Sequence, residues 1–182
     1  MLPPGHFAAG FLIGTGVASL FHNQLTPGEM QLLALAGGFF GFAPDLDMFY
    51  AFLKNRGFTF HDTTIYHRDY ITHTPLFWLV ICSLILLFSV GIFWKLFAIV
   101  LLLGAVSHLF LDSFKVGIRW FWPWSNDYFA FLNPDPKEYH QTKGFFRYWF
   151  DFLKIYTTDP TFRPTFILEI ALLLITAMVI LR

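Results

Sequence analysis

The sequence predicts an all-α integral membrane protein, a compact bundle of about five transmembrane helices with interfacial aromatic segments. Of its 182 residues, 56% are hydrophobic and only 13% are charged, whereas a soluble domain carries roughly 25% charged residues. Five apolar segments follow one another along the chain and are separated by polar stretches. The length is that of one membrane-embedded domain, residues 1–182.

The first two apolar segments, Phe7–Phe21 and Pro27–Ala43, are short and rich in glycine. No Lys or Arg precedes the first one, which is therefore interpreted as a retained helix rather than a signal peptide. The second begins with the pattern of a capping box, in which Thr26 is the N-cap and Glu29 follows three residues later. It also carries three glycines that would let another helix approach closely, namely Gly37, Gly38 and Gly41.

A membrane helix needs about 17–25 residues. The other three apolar segments are poorer in glycine than the first two and are interpreted as more convincing spans. Pro75–Val90 is preceded by Thr74, just as the second segment, which also begins with a proline, is preceded by Thr26. It is followed by Trp94–Leu111 and then by the last transmembrane helix, residues 165–181. Glu169 lies near Arg163 at the start of that last helix, and we interpret it as a side chain that reaches the interface.

The region between the last two apolar segments, residues 113–164, is predicted to be interfacial. "RWFWPW" at 119–124 and "FFRYWFDFLKIY" at 145–156 combine aromatic rings with a few charges, a composition typical of the lipid headgroup level.

The distribution of Lys and Arg predicts an orientation. With five spans, ten of the twelve lie on the side that holds the N-terminus and the loops 44–74 and 112–164, and only Lys95 and Arg182 lie opposite. The positive-inside rule makes the first side cytoplasmic in a multi-pass protein of the cell membrane. The zero net charge argues against nucleic acid binding by a basic surface, and the single cysteine, Cys82, excludes a disulfide within the chain and a Cys-based zinc site.

Polar side chains at four helix ends converge on that same predicted face. They are His6 before the first helix, Asp45 and Asp47 after the second, His67, Arg68 and His73 before the third, and His108 and Asp112 at the end of the fourth. Such groups are costly in lipid and therefore usually have partners.

These residue types predict a divalent metal site. His108 and Asp112 are four residues apart, so a helix projects both from one side. A set of His and Asp ligands without thiolate suits Zn²⁺, Mn²⁺ or Fe²⁺. Arg68 carries a planar donor group that matches a phosphate or carboxylate.

Other interpretations stay open for each part of this pattern. A single His-x-x-x-Asp on a helix is more often a hydrogen-bonded pair or a cap. A b-type haem held by His6 and His108 is an alternative, although haem iron needs no carboxylates. A transporter would place its polar residues near the midplane of the bilayer rather than at helix ends.

The intervals between these groups repeat. His6 and Asp45 are 39 positions apart (45 − 6), as are His73 and Asp112 (112 − 73). One explanation is coincidence, because any two helical hairpins that cross the same bilayer need similar lengths. A pseudo-twofold axis along the membrane normal is the alternative.

Four motifs, "GHFAAG", "APDLD", "HRDYITHT" and "SHLFLDSFKVGIRWFWP", resemble those of the bacterial YdjM-like family of membrane-bound metal-dependent hydrolases. The resemblance covers about residues 5–124, the core of the predicted metal site. The spacing from His67 to His73 is one residue longer than is usual in the family, so either of the two histidines could be the direct ligand.

The resemblance implies a hydrolase of the inner membrane that acts on a phosphate ester or phosphodiester, with a phosphate-containing lipid among the candidate substrates. That family is described as remotely similar to zinc-dependent phospholipase C and the P1-type nucleases, which hold three zinc ions and use a later His-x-x-x-Glu. This sequence lacks that motif, since Gly144 stands four residues after His140, so the resemblance implies only one or two Zn²⁺ ions here. A metal-activated water would attack phosphorus, with Arg68 holding the phosphate and Asp47 or Asp45 acting as general base. At the lipid–water boundary, the expected substrate is amphipathic and contains phosphate.

Overall fold

The computed structural model describes residues 1–54, 67–114, 117–132 and 150–181 apart from 151, 152 and 155, and it leaves out the side chains of 51–54, 67 and 161. Within these ranges the fold is helical and contains no strand, which confirms the predicted all-α class. The α-helices are α1 (Pro3–Leu20), α2 (Pro27–Phe42), α3 (Asp47–Lys54), α4 (Pro75–Phe88), α5 (Ile92–Asp112) and α6 (Arg163–Ile180).

Three helical segments in the described part of the chain are long and apolar enough to cross a membrane. They are Pro27–Tyr50, which contains α2, a 3₁₀ turn and the start of α3, together with α5 and α6. The apolar helix α4 has 14 residues, fewer than a perpendicular span requires. α1 has 18 residues but is not among the three. The count of about five spans therefore stays a prediction.

Glycines allow α1 and α2 to pack with their backbones in contact, as predicted for Gly37 and Gly41. A Cβ atom at Gly10 would collide with the carbonyl oxygen of Gly37, and one at Gly41 would collide with that of His6. α5 approaches the same place, because a Cβ at Gly104 would lie 3.0 Å from the Gly37 carbonyl oxygen. This contact brings the last turns of α5 beside the end of α2.

The hairpin of α4 and α5 packs through large side chains instead. Trp78 on α4 is buried in one hydrophobic cluster with Leu101, Ala105 and Leu109 of α5. Its indole nitrogen donates a hydrogen bond to the carbonyl oxygen of Thr72, at a distance of 2.7 Å. Trp78 therefore fixes the turn that precedes α4.

The two predicted Thr-Pro helix starts differ in the structure. Thr26 forms the predicted capping box, in which its side chain accepts from the Glu29 amide and Glu29 accepts from the Thr26 amide. The Thr74 hydroxyl does not cap α4, and it donates to the carbonyl oxygen of Ile71 at 2.7 Å. The Thr-Pro pair therefore acts differently at the two places. Thr26 caps its helix, whereas Thr74 stabilises the turn before its helix.

The aromatic loop, residues 117–132 after α5, folds back onto the end of that helix. The Phe131 amide donates to the Ser113 carbonyl oxygen at 2.7 Å, and the Trp120 indole donates to the Ser113 hydroxyl at 2.8 Å. Phe121 and Trp124 are 68% and 83% exposed, as the interfacial interpretation requires. Most of the second predicted interfacial stretch, 145–156, lies outside the described residues.

The interpretation of Glu169 as a side chain that reaches the interface is wrong. Glu169 is only 3% exposed, and its carboxylate lies against the N-terminal end of α1. The sequence placed Glu169 close to Arg163 along the helix. The packing of α6 against α1 supplies backbone donors that the sequence does not show.

Candidate metal centre

Four buried side chains from three parts of the chain meet at one end of the helices. One donor atom of each lies within 4.8 Å of the others, and the four residues are Asp45, His73, His108 and Asp112. Asp45 lies in the 3₁₀ turn Ala43–Leu46 that follows α2, and His73 ends the turn Ile71–His73 that precedes α4. We call these four residues the four-donor cluster.

The ring of His108 is oriented as a metal ligand would be. Its Nδ1 lies 2.9 Å from the carbonyl oxygen of Gly41 and donates to it, which leaves a lone pair on Nε2. This Nε2 atom is buried and has no hydrogen-bond partner among the described residues. It lies 3.6 Å from Asp45 Oδ1 and 3.8 Å from Asp112 Oδ2.

Those separations are too long for hydrogen bonds, yet they suit donor atoms that share an ion. With bonds of about 2.0–2.1 Å in tetrahedral geometry, ligand atoms on one Zn²⁺ lie about 3.3–3.4 Å apart. A buried nitrogen without a hydrogen-bond partner is also costly unless something else binds it. The four-donor cluster therefore fits a divalent ion, both in its chemistry and in its spacing.

His73 is held by a carboxylate on its other nitrogen. Its Nδ1 lies 2.7 Å from Asp47 Oδ2, and its Nε2 lies 3.7 Å from Asp45 Oδ1. The Thr72 hydroxyl donates to the same Asp47 oxygen at 2.5 Å. A carboxylate that orients a metal-binding histidine in this way is common around metal sites. Asp47 thus has the geometry of an orienting residue, while its predicted role as general base stays a prediction.

The protonation of His73 reflects the same neighbours. Burial alone would lower the pKa of His73, but its contacts with Asp45 and Asp47 and the negative charges of these carboxylates raise that pKa to about 9. Without a metal, the imidazolium lies between two carboxylates and balances part of their charge. Metal ligation requires the neutral ring, so a divalent cation would take the place of this proton.

His6 lies beside the four-donor cluster. Its Nε2 is 3.1 Å from Asp112 Oδ1, and its ring stacks on that of His108 with a centroid distance of 3.9 Å. Rings stacked this closely leave no space for a porphyrin, so the geometry argues against a haem held between them.

Arg68 reaches the cluster from the turn before α4. Its Nε and Nη2 atoms both lie 2.7 Å from Asp112 Oδ2, and its side chain is 13% exposed. The amino group of Met1 lies 3.2 Å from the other oxygen of Asp112. The neighbouring Asp69 accepts hydrogen bonds from Arg119 and Tyr128, so the aromatic loop holds the segment that carries Arg68.

The predicted site residues are therefore found together as far as the structure describes them. His6, Asp47 and Arg68 contact members of the four-donor cluster. The side chain of His67 lies outside the described part, so its predicted role stays a prediction. Sequence reasoning missed the carbonyl of Gly41, which no side chain reveals, and Thr72, whose position between the two histidines was the available signal.

One family model matches nearly the whole chain. The YdjM inner membrane protein family matches residues 1–181. The chain belongs to this family. No curated protein and no solved structure matches it, so the remote similarity to phospholipase C and the P1-type nucleases stays a prediction. Membership in YdjM places the buried Asp and His cluster in an inner membrane protein.

Proposed function

We propose that this YdjM-family protein is a membrane-bound, metal-dependent hydrolase of a phosphate ester or phosphodiester. The observation that carries the proposal is the four-donor cluster, in which Nε2 of His108 faces two carboxylates and makes no hydrogen bond in the described structure. Zn²⁺ suits this mixed oxygen and nitrogen set, and Mn²⁺ or Fe²⁺ is an alternative. The cluster offers donors for one ion, and His6 beside it is a potential ligand for a second.

The residues around the cluster have distinct roles in this proposal. When bound, a divalent ion lowers the pKa of a water molecule towards neutrality and so supplies a nucleophile. Arg68, which is partly exposed beside Asp112, binds the phosphate of the substrate and stabilises the charge that develops on it. Asp47 orients His73, and Asp45 or Asp47 accepts the proton of the nucleophile.

The position of the cluster supports a substrate from the membrane. Its members lie at the ends of α2 and α5 and before α4 rather than in mid-helix, while the rings of the aromatic loop are exposed nearby. A site at this depth meets the phosphate of an amphipathic molecule whose apolar part stays in lipid. We propose a phosphate-containing membrane lipid as the substrate.

The proposal also places the site on the cytoplasmic face, because ten of the twelve Lys and Arg residues lie on that side of the five-span topology. A reporter fused after Arg182 should then be found in the periplasm. A cytoplasmic reporter would contradict either the number of spans or the orientation.

Metal analysis of the purified protein in detergent tests the centre directly. We expect the wild type to retain about one equivalent of metal, because the four-donor cluster offers donors for one ion, and Asp112→Ala to retain almost none. Asp127→Ala removes an exposed carboxylate from the aromatic loop and should leave the metal content unchanged. Negligible metal in the wild type would overturn the metal site.

Hydrolysis is tested separately with the metal-loaded protein. A short-chain phospholipid and a soluble phosphodiester should both be cleaved, and Arg68→Gln should slow cleavage while the metal is retained. A protein that binds metal but cleaves neither compound would instead be a non-catalytic metal-binding or transport protein.

A further inference from the structure

The last helix carries a buried carboxylate that belongs to neither hairpin. Glu169 on α6 accepts hydrogen bonds from the backbone amides of Leu2 and Gly5, at 3.3 and 3.2 Å, and from the hydroxyl of Tyr156, at 2.5 Å. Tyr156 is itself buried, with 1% of its surface exposed. Charge-assisted hydrogen bonds of this kind are strong where water is excluded.

These bonds supply a cap that α1 does not provide for itself. The N-cap residue Leu2 has no side chain that can accept a hydrogen bond, and prolines occupy the next two positions. In a capping box, a Glu of the same helix binds the N-cap amide, and here Glu169 does so from a different helix. Its negative charge also matches the positive end of the α1 dipole.

Position 5 is shaped for this carboxylate. A Cβ atom at Gly5 would lie 2.8 Å from both Cγ and Oε1 of Glu169, so a larger residue would displace the side chain. Further along, the Thr176 hydroxyl donates to the Ala8 carbonyl oxygen at 3.4 Å. α6 is therefore tied to the first turns of α1, the part of that helix that carries His6.

His6 differs from the other two histidines in what holds its ring. Nδ1 of His108 is bound by the Gly41 carbonyl, and Nδ1 of His73 by Asp47. Among the described residues, neither ring nitrogen of His6 makes a hydrogen bond of good geometry, although Nε2 lies close to Asp112. The place of this ring therefore depends on stacking and on where the backbone of α1 lies.

We propose that Glu169 is a positioning residue of the metal centre, which fixes His6 against Asp112 by capping α1 from the last helix. The effect on metal binding rests on the proposed function, whereas the effect on His6 does not. This gives α6 a role beyond anchoring the chain in lipid.

The first test uses metal-free protein in detergent and diethyl pyrocarbonate, which acylates accessible neutral imidazole nitrogens. The rate of modification at each histidine is followed by mass spectrometry. Glu169→Gln replaces one of the two acceptor oxygens by an NH₂ donor and removes the charge, so part of the cap is lost. His6 should then react about fivefold faster, a change of the size that a weakened helix cap produces, while His73 and His108 stay protected. Glu29→Gln is the matched control, because Glu29 caps α2 through the exposed pair with Thr26 and should leave His6 unchanged.

Tyr156→Phe provides a second, milder variant, since it removes only one donor to Glu169. We expect His6 to react about twofold faster, as the loss of one hydrogen bond predicts. Equal acceleration at all three histidines would show general loosening, and no acceleration at His6 would show that Glu169 does not position it. Either result overturns the proposal.

The second test measures the affinity for Zn²⁺ in a double-mutant cycle. Glu169→Gln should weaken binding about tenfold, as substitutions around metal ligands do, and should have no further effect when His6 is already Ala. Equal losses in both backgrounds would contradict an action through His6. If the wild type binds no Zn²⁺, the proposed function fails, and the reactivity of His6 in metal-free protein still decides the role of Glu169.

Discussion

The two hairpins that meet at the candidate metal centre, α1–α2 and α4–α5, span equal intervals of sequence but are built differently. In the first, glycines bring the helix backbones into contact. In the second, Trp78 and large aliphatic side chains separate the helices. The first hairpin contributes one member of the four-donor cluster, Asp45, whereas the second, with its preceding turn, contributes three.

The pairing of side chains crosses between the hairpins. His6 of the first lies 3.1 Å from Asp112 of the second, and His73 of the second lies 3.7 Å from Asp45 of the first. A pseudo-twofold axis would produce this exchange, with Gly41 and His108 in contact close to the axis. Superposition of α1–α2 on α4–α5 is the test, and the symmetry stays a prediction.

The difference teaches that close backbone packing and metal ligation are divided between the hairpins. Contacts at Gly37 and Gly41 hold the end of α2 against α1 and so position Asp45. A larger residue at either glycine would collide with the α1 backbone. The α4–α5 hairpin supplies His108 and Asp112 from the last turns of α5 and His73 from the turn before α4.

The largest expected effect comes from breaking the glycine contact. Gly10→Leu should lower the free energy of unfolding by more than about 3 kcal/mol, because the added side chain meets the Gly37 backbone rather than a flexible group. Unfolding in mixed micelles measures it. Gly16→Leu is the matched control in the same helix, since a Cβ there meets nothing within 4 Å. Similar losses in the two variants would show that the contact is not decisive.

The second-largest effect concerns the unequal numbers of metal ligands that the two hairpins contribute. His73→Ala should weaken Zn²⁺ binding more than about 100-fold, which exceeds the loss in metal affinity typical of substitutions beside the ligands. His6→Ala should weaken it only about tenfold. Isothermal titration of the metal-free protein measures both. A larger loss in His6→Ala would make the first hairpin the main source of ligands and reverse the comparison.

Asp47→Asn distinguishes an orienting carboxylate from a general base. If Asp47 orients His73 through their 2.7 Å contact, the affinity for Zn²⁺ should fall about tenfold. An unchanged affinity with lost hydrolysis would assign it the role of base instead. Asp127→Asn, in the exposed part of the aromatic loop, should change neither quantity.

The smallest effect is expected at the far end of the first hairpin. Thr26→Ala removes the capping box of α2 and should cost about 1 kcal/mol of stability, with the affinity for Zn²⁺ unchanged. Thr74→Val removes a hydroxyl that caps no helix but holds the turn ending at His73, and it should weaken Zn²⁺ binding. If Thr26→Ala weakened Zn²⁺ binding as much as Thr74→Val, the far end of the first hairpin would not be independent of the metal centre.

The sequence by itself determined the helical class, the capping box at Thr26, the need for close approach at Gly37 and the common end at which the ligands meet. Each of these follows from local rules. Helix starts depend on neighbouring residues, small residues permit contact whatever the partner, and alternating spans return the chain to one side of the bilayer.

Only the tertiary structure decided which atoms face one another. Three contacts depend on distances between segments far apart in sequence. The Gly41 carbonyl orients His108, Asp47 holds His73, and Glu169 caps α1. A backbone carbonyl or amide is present at nearly every position, so its use as a partner leaves no mark in the sequence. The reason is physical, because the partner of a buried polar group is set by packing rather than by residue type.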